Sequence, residues 1–121
     1  MTIKEATDLS LTILAKLGFQ EEESRFITQN LIEAELVEKK THGLIRLLSI
    51  VENVKAGKVN VTADDIELIR EHKAALHFNG KYKPGWYVIY KSLEKALEKV
   101  KDSGIVAVSP KKLFLCLWLH W

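Results

Sequence analysis

Helical periodicity, stopped by two glycines, dominates the first 57 residues and restricts the chain to a largely helical start. Thr2 and Glu5 form a T-x-x-E capping box, in which each side chain satisfies a backbone N–H left free at a helix start. Ile3, Ala6, Leu9, Ile13, Leu14 and Leu17 then fall on one helical arc, and Gly18 supplies a stop that tolerates positive φ. A second helix is expected from about Glu21 to Lys39, acidic at its start (Glu21, Glu22, Glu23) and basic at its end (Lys39, Lys40), both favourable against the helix dipole. Phe26, Ile27, Leu31, Ala34 and Val37 share one of its faces. Ile32 and Leu36 fall outside that face, which suggests a further apolar contact within the fold or with another chain. The third helix is expected from Thr41 or Gly43 to Ala56, burying Leu44, Leu47, Leu48, Val51 and Val54 and stopping at Gly57.

After Lys58 the pattern changes. "IELIREH" and "AALHFNG" are β-compatible runs, and Asn79-Gly80 is a turn signal. A long amphipathic helix follows from about Trp86 to Asp102, with Ile89, Leu93, Ala96, Leu97 and Val100 as its buried face. Gly104 ends it, and "IVAV" (105–108) reads as a buried strand. Helix then strand is the opening of an α/β unit. The expected fold is therefore α+β and mostly helical: a three-helix region over 1–57, then short strands, a long helix and a strand over 58–108 as an incomplete α/β unit. Residues 109–121, "SPKKLFLCLWLHW", stand apart as an apolar tail without helical or strand amphipathicity.

Composition removes several function classes. A net charge of +2, with lysines and glutamates interleaved along the helical segments, argues against nucleic acid as a partner. The absence of any run of ~18 apolar residues argues against a membrane span. One cysteine, Cys116, excludes an internal disulfide and suits a reducing cytoplasm. The N-terminal "MTIKEATDLS" lacks the apolar core of an export signal.

The candidate chemistry sits in "KTHGLIRLL", residues 40–48. At ~100° per residue, His42, Arg46, Ser49 and Asn53 line the polar side of the third helix, with His42 and Arg46 one turn apart. Arginine offers a planar fork that holds a carboxylate through two hydrogen bonds. Histidine can pass a proton near neutral pH. Together they suit a 2-hydroxy or 2-oxo acid, with Arg46 on the carboxylate and His42 on the reacting oxygen. Spacing alone favours the plainer reading, a solvated helix face, because i,i+4 polar pairs are common. His72 and His77 lack the further ligands a metal pair needs, so no metal site is expected. Cys116 has no histidine placed for nucleophilic catalysis, and no dinucleotide or phosphate-loop fingerprint occurs.

"THGLIRLLSIVENVKAGKVN", with "LGFQEEESRFITQNLIEAEL" before it and "PGWYVIYKSLEKALEKVKDSGI" after it, resembles the type 2 malate/L-lactate dehydrogenase family across about residues 3–108. The family's hallmark is S-H-G-x-x-R-L. The resemblance implies that His42 is the active-site histidine, that Arg46 holds the substrate carboxylate, and that Thr41, which stands where serine is usual, is a substrate-binding residue beside Arg46. Ile50 stands where many members have an active-site tyrosine. In the loop that resembles G-x-G-Q, Lys83 and Trp86 replace the first glycine and the glutamine, leaving Gly85. The family implies NAD or NADP as cofactor, a small 2-hydroxy or 2-oxo acid as substrate and a homodimer. Its second active-site histidine, in an N-S-N-H segment, has no counterpart where residues 109–121 stand. The chain is therefore expected to be an N-terminal portion of such an enzyme, with a frameshift near Val108 as one origin of the tail, no cofactor bound by this chain alone and no turnover. The other expectation is a non-catalytic helical interaction module.

Overall fold

The structure, a computed structural model, describes residues 1–62 and 64–114. Four α-helices and a three-stranded sheet are present among them: α1 (Ile3–Leu17), α2 (Glu21–Leu36), α3 (Arg46–Lys55), β1 (Glu67–His72), β2 (Ala75–Asn79), α4 (Gly85–Ser103) and β3 (Ala107–Lys111). This is the mostly helical α+β composition expected from the sequence.

Local signals set the helix ends. Thr2 caps α1 with the reciprocal Glu5 contacts, and Gly18 closes it at φ 100°, donating back to the carbonyls of Leu14 and Ala15. Gly104 closes α4 in the same left-handed conformation at φ 75°. The second helix is shorter than the charge pattern suggested. It ends at Leu36, and Glu38 turns the chain with φ 60°, so Lys39 and Lys40 lie beyond its last turn.

The main core gathers Leu14, Phe19, Ile27, Leu31, Leu47, Ile50, Val59 and Trp86, with Ile13, Leu17, Leu44, Val54, Val61 and Phe114 packed at its margin. Each fully buried leucine or isoleucine contributes about 1.5–3 kcal/mol through loss of apolar surface from water. A smaller cluster, Leu76, Phe78 and Ala96 with Ile66, Val106 and Val108, joins the sheet to α4.

Several expected core positions are exposed. The buried line of α1 is Ala6–Ser10–Leu14, small enough for close approach to α2, whereas Ile3 and Leu9 face outward. In α3 the core takes Leu47 and Ile50 and leaves Leu48 67% exposed. The helix starts only at Arg46, after a break at Gly43, so its inward arc is rotated from that of one continuous helix. The inward face of α4 is Trp86, Tyr87, Val88, Ser92 and Ala96, and Leu93 and Leu97 are exposed.

The sheet has the order β1-β2-β3, with β1 antiparallel and β3 parallel to β2. The β1–β2 hairpin turns at Lys73-Ala74, and the turn signalled by Asn79-Gly80 follows the end of β2, where the Lys83 N–H donates to the Gly80 carbonyl at 2.9 Å. The "IVAV" segment is not a buried strand. Ile105 is exposed, β3 begins at Ala107, and its residues are alternately exposed and half-buried, because α4 covers only one face. β3 continues through Ser109, Pro110 and Lys111, which pair with His77, Phe78 and Asn79. Ala107 donates to Ala74 and Lys111 accepts from Gly80, so both point towards β2. By alternation, Val108 and Pro110 direct their main-chain groups to the outer edge. Phe114 then bridges to Pro84. Residues 115–121, the rest of the expected tail with Cys116 and His120, lie outside the described residues. Among the described residues no helix is long and apolar enough to cross a membrane, and no three histidine, cysteine or carboxylate groups gather as metal ligands.

Candidate functional site

Thr41, His42 and Arg46 are brought together by a kinked link rather than by one helix. A single 3₁₀ turn, Lys40–His42, follows α2, and Gly43 at ψ −144° breaks the helical path before α3 starts. The Arg46 N–H then reaches back to the Gly43 carbonyl at 2.9 Å. His42 and Arg46 are therefore not successive positions on one helical face. They meet through Thr41, whose hydroxyl lies 3.0 Å from His42 Nδ1 and whose carbonyl accepts from Arg46 Nε at 2.6 Å. The second contact fixes the guanidinium through Nε. Neither terminal nitrogen of Arg46 has a protein partner among the described residues, which leaves the pair that can grip a carboxylate. His42 and Arg46 are half-buried and Thr41 is exposed.

Glu35 of α2 supports this link, and sequence reasoning missed it. Its Oε1 accepts from the Leu44 N–H at 2.8 Å, satisfying a donor close to the start of α3. Gly43 is required beneath it. A Cβ there would overlap the Glu35 carboxylate oxygen and lie 2.6 Å from its Cδ. The signal was the glycine of H-G-x-x-R itself, which demands a close approach by something, though not by which residue.

The loop before α4 points its side chains inward. The Lys83 ammonium pairs with the Glu23 carboxylate and donates to the Thr62 carbonyl at 2.8 Å. Lys83 is 0% and Glu23 2% exposed, so the pair sits in the interior. Burial pushes the Glu23 carboxyl above its ordinary 4.5, outweighing the opposite pull of Lys83, with Asp65 and Glu22 adding to the rise. Glu23 Oε2 has no hydrogen-bond partner among the described residues. The Tyr87 ring lies 5.6 Å from the Lys83 ammonium and 5.8 Å from that of Lys91, and its hydroxyl donates to Asp65 at 3.3 Å. Burial first, then the Asp65 charge, pushes the Tyr87 phenol well up. Trp86 is 3% exposed in the main core.

The other sequence candidates do not join a site. Asn53 donates to the Ser49 carbonyl on α3. His77 Nδ1 donates to the Ser109 carbonyl at 2.7 Å, and His72 Nδ1 accepts from the Lys73 N–H, so each has a local structural contact.

The sequence model of the malate/L-lactate dehydrogenase family matches residues 1–114. The chain belongs to that family. The family match includes residues 109–114, beyond the Val108 boundary drawn from the apolar tail. The malate dehydrogenase of Pyrococcus horikoshii is 36% identical over 93 residues, covering 77% of this chain and 26% of that protein. The malate/(S)-sulfolactate dehydrogenase of Methanothermus fervidus is 31% identical over 102 residues, covering 84% of this chain and 30% of that protein. The solved structure of the Pyrococcus horikoshii malate dehydrogenase superposes with a TM-score of 0.88 at 30% identity, over 95% of this chain and 33% of that one. The chain thus spans about a third or less of these malate/L-lactate dehydrogenase relatives.

Proposed function

We propose that this chain carries the substrate-acid side of an NAD- or NADP-dependent 2-hydroxyacid oxidoreductase. The observation behind the reading is the double contact of Thr41, which orients His42 through its hydroxyl and Arg46 through its carbonyl. Arg46 holds the carboxylate of a malate-, lactate- or sulfolactate-type acid through its two terminal nitrogens. His42 gives a proton to the 2-oxo oxygen during reduction and takes it back during oxidation. Thr41 holds both groups in register without touching the reacting atoms.

In a complete enzyme the chemistry that a nicotinamide nucleotide would supply is hydride exchange at C2 of the acid. The described residues do not fit a cradle for it. Lys83 is engaged by Glu23 in the interior and Trp86 fills the core, so neither side chain of this loop reaches a ligand. The chain by itself accordingly binds the acid without appreciable turnover. The same reading carries a homodimer and a cytoplasmic location as expectations. A non-catalytic helical module leaves the Thr41-centred arrangement without a use.

Amide NMR of the chain titrated with a 2-oxo dicarboxylic acid tests the proposal. Saturable shifts confined to residues 41–46, weakened about tenfold or more in Arg46→Ala, are expected. Equal affinity in the variant would remove the proposed role of Arg46.

A further inference from the structure

We propose a second ligand site, for a small aliphatic carboxylic acid, in the groove between α1 and α2. A short link, Gly18 to Gln20, joins the two helices, which pack against each other as an antiparallel helical hairpin. Ala6, Ser10 and Leu14 form the buried line of α1. Beside that line an open pocket of about 340 Å³ lies between Thr7 and Leu11 of α1 and Arg25, Thr28, Gln29, Ile32 and Glu33 of α2. That volume lies within the range of small-molecule sites, about 300–1,000 Å³. Ile32, which the apolar stripe of α2 leaves out, is one of its walls.

A buried hydroxyl in this lining lacks an acceptor. Elsewhere on the helices such groups are satisfied locally: Thr7, Ser10 and Thr12 each donate to the carbonyl one turn back, at 2.8, 2.7 and 2.8 Å, and Ser92 does the same at 2.7 Å. Thr28 does not. The residue is 3% exposed, and its Oγ1 has no hydrogen-bond partner among the described residues. A hydroxyl withdrawn from water without a partner is unfavourable. An acceptor seated in the groove relieves it, because threonine on a helix divides between two χ1 rotamers and a rotation turns Oγ1 towards the space that Thr28 lines.

Charge then selects the acceptor. Arg25 stands about one turn before Thr28 in the same lining. It is within ion-pair distance of no carboxylate side chain among the described residues, although Glu21 and Glu22 share its helix. The acid of the lining, Glu33, is about 12 Å further along α2. There Gln29 Nε2 donates to it at 2.9 Å. The groove thus offers an unpaired guanidinium and an unsatisfied hydroxyl on neighbouring turns, with Leu11 and Ile32 as apolar walls. A carboxylate takes two parallel hydrogen bonds from Arg25 and one from Thr28, and an aliphatic chain behind it covers the two apolar side chains. The inference is independent of the His42–Arg46 reading.

Calorimetric titration of the whole chain with sodium hexanoate, heptanoate and octanoate, and separately with octylammonium chloride, tests it. Expected are one saturable site for the acids, affinity rising about fourfold with each added methylene, and no binding of octylammonium. Arg25→Gln should lose about tenfold in affinity for octanoate. Arg25 is exposed, so this variant leaves the core intact. Thr28→Val, which keeps the shape of the side chain, should lose about fivefold. Arg70→Gln on β1 and Arg46→Ala should change nothing. Non-saturable binding, octylammonium bound as tightly as octanoate, or affinity unchanged in Arg25→Gln and Thr28→Val would overturn the site. Loss of octanoate binding in Arg46→Ala would assign the acid to the His42 side instead. Affinity that falls as protein concentration rises would give the groove to a second copy of the chain and overturn the ligand.

Discussion

Lys83 and Glu23, separated by 60 positions in the chain, form a buried ion pair that fastens the loop before α4 to α2. A paired charge in the interior is costly to orphan but easy to replace, since removing one partner leaves the desolvation penalty of the other. Lys83→Met should therefore cost about 3–5 kcal/mol, whereas Lys83→Met with Glu23→Leu should lie within about 1–2 kcal/mol of the parent. Urea unfolding of the two singles and the double checks this. Additive losses would show that the pair is not one energetic unit.

The same carboxyl gives stability a pH dependence. Burial raises the folded pKa of Glu23 above its ordinary 4.5, so between 4.5 and the raised value the folded chain holds more protons than the unfolded one. Its contribution to stability is full below 4.5 and declines as pH rises through the folded pKa. Denaturation midpoints across that interval should show a declining component that Glu23→Gln abolishes. An identical profile in the variant would assign the dependence to other groups.

Gly43→Ala should weaken the candidate site indirectly. The new Cβ must displace the Glu35 carboxylate, and the Leu44 N–H then loses its acceptor. A loss of about 1–3 kcal/mol is expected, with amide shifts concentrated at residues 41–46. Glu35→Ala should produce much of the same effect, and the double variant should fall short of the sum.

Thr2→Ala tests the first turn. Loss of the hydroxyl that accepts the Glu5 N–H at 3.1 Å should cost about 1 kcal/mol. Hydrogen exchange should quicken at residues 3–6 and remain unchanged in α4.

Helix existence was legible from the sequence because caps and left-handed glycines act locally: Thr2, Gly18 and Gly104 read the same in both. Facing was less legible. Leu48 and Leu97 match an apolar period yet are exposed, whereas Ser10 and Ser92 are buried because helices approach closely over small side chains that return their hydroxyls to the i−4 carbonyl. The candidate residues His42 and Arg46 were drawn from the H-G-x-x-R core, but a continuous helix was expected where Gly43 breaks the path. Partners far apart in sequence, Glu35 with Leu44 and Glu23 with Lys83, carry no periodic signal, since tertiary packing alone pairs them.

Pro110 gives the sheet a one-way character. Its main chain faces outward from β3, and proline has no N–H to offer. A strand arriving from outside would meet a ladder with one donor rung missing, beside a strand whose next residue but one, Lys112, already bends away at φ 51°. Ribbon growth from this side, the route by which open sheets polymerise, is discouraged by the same residue that pairs with Phe78 on the inner side.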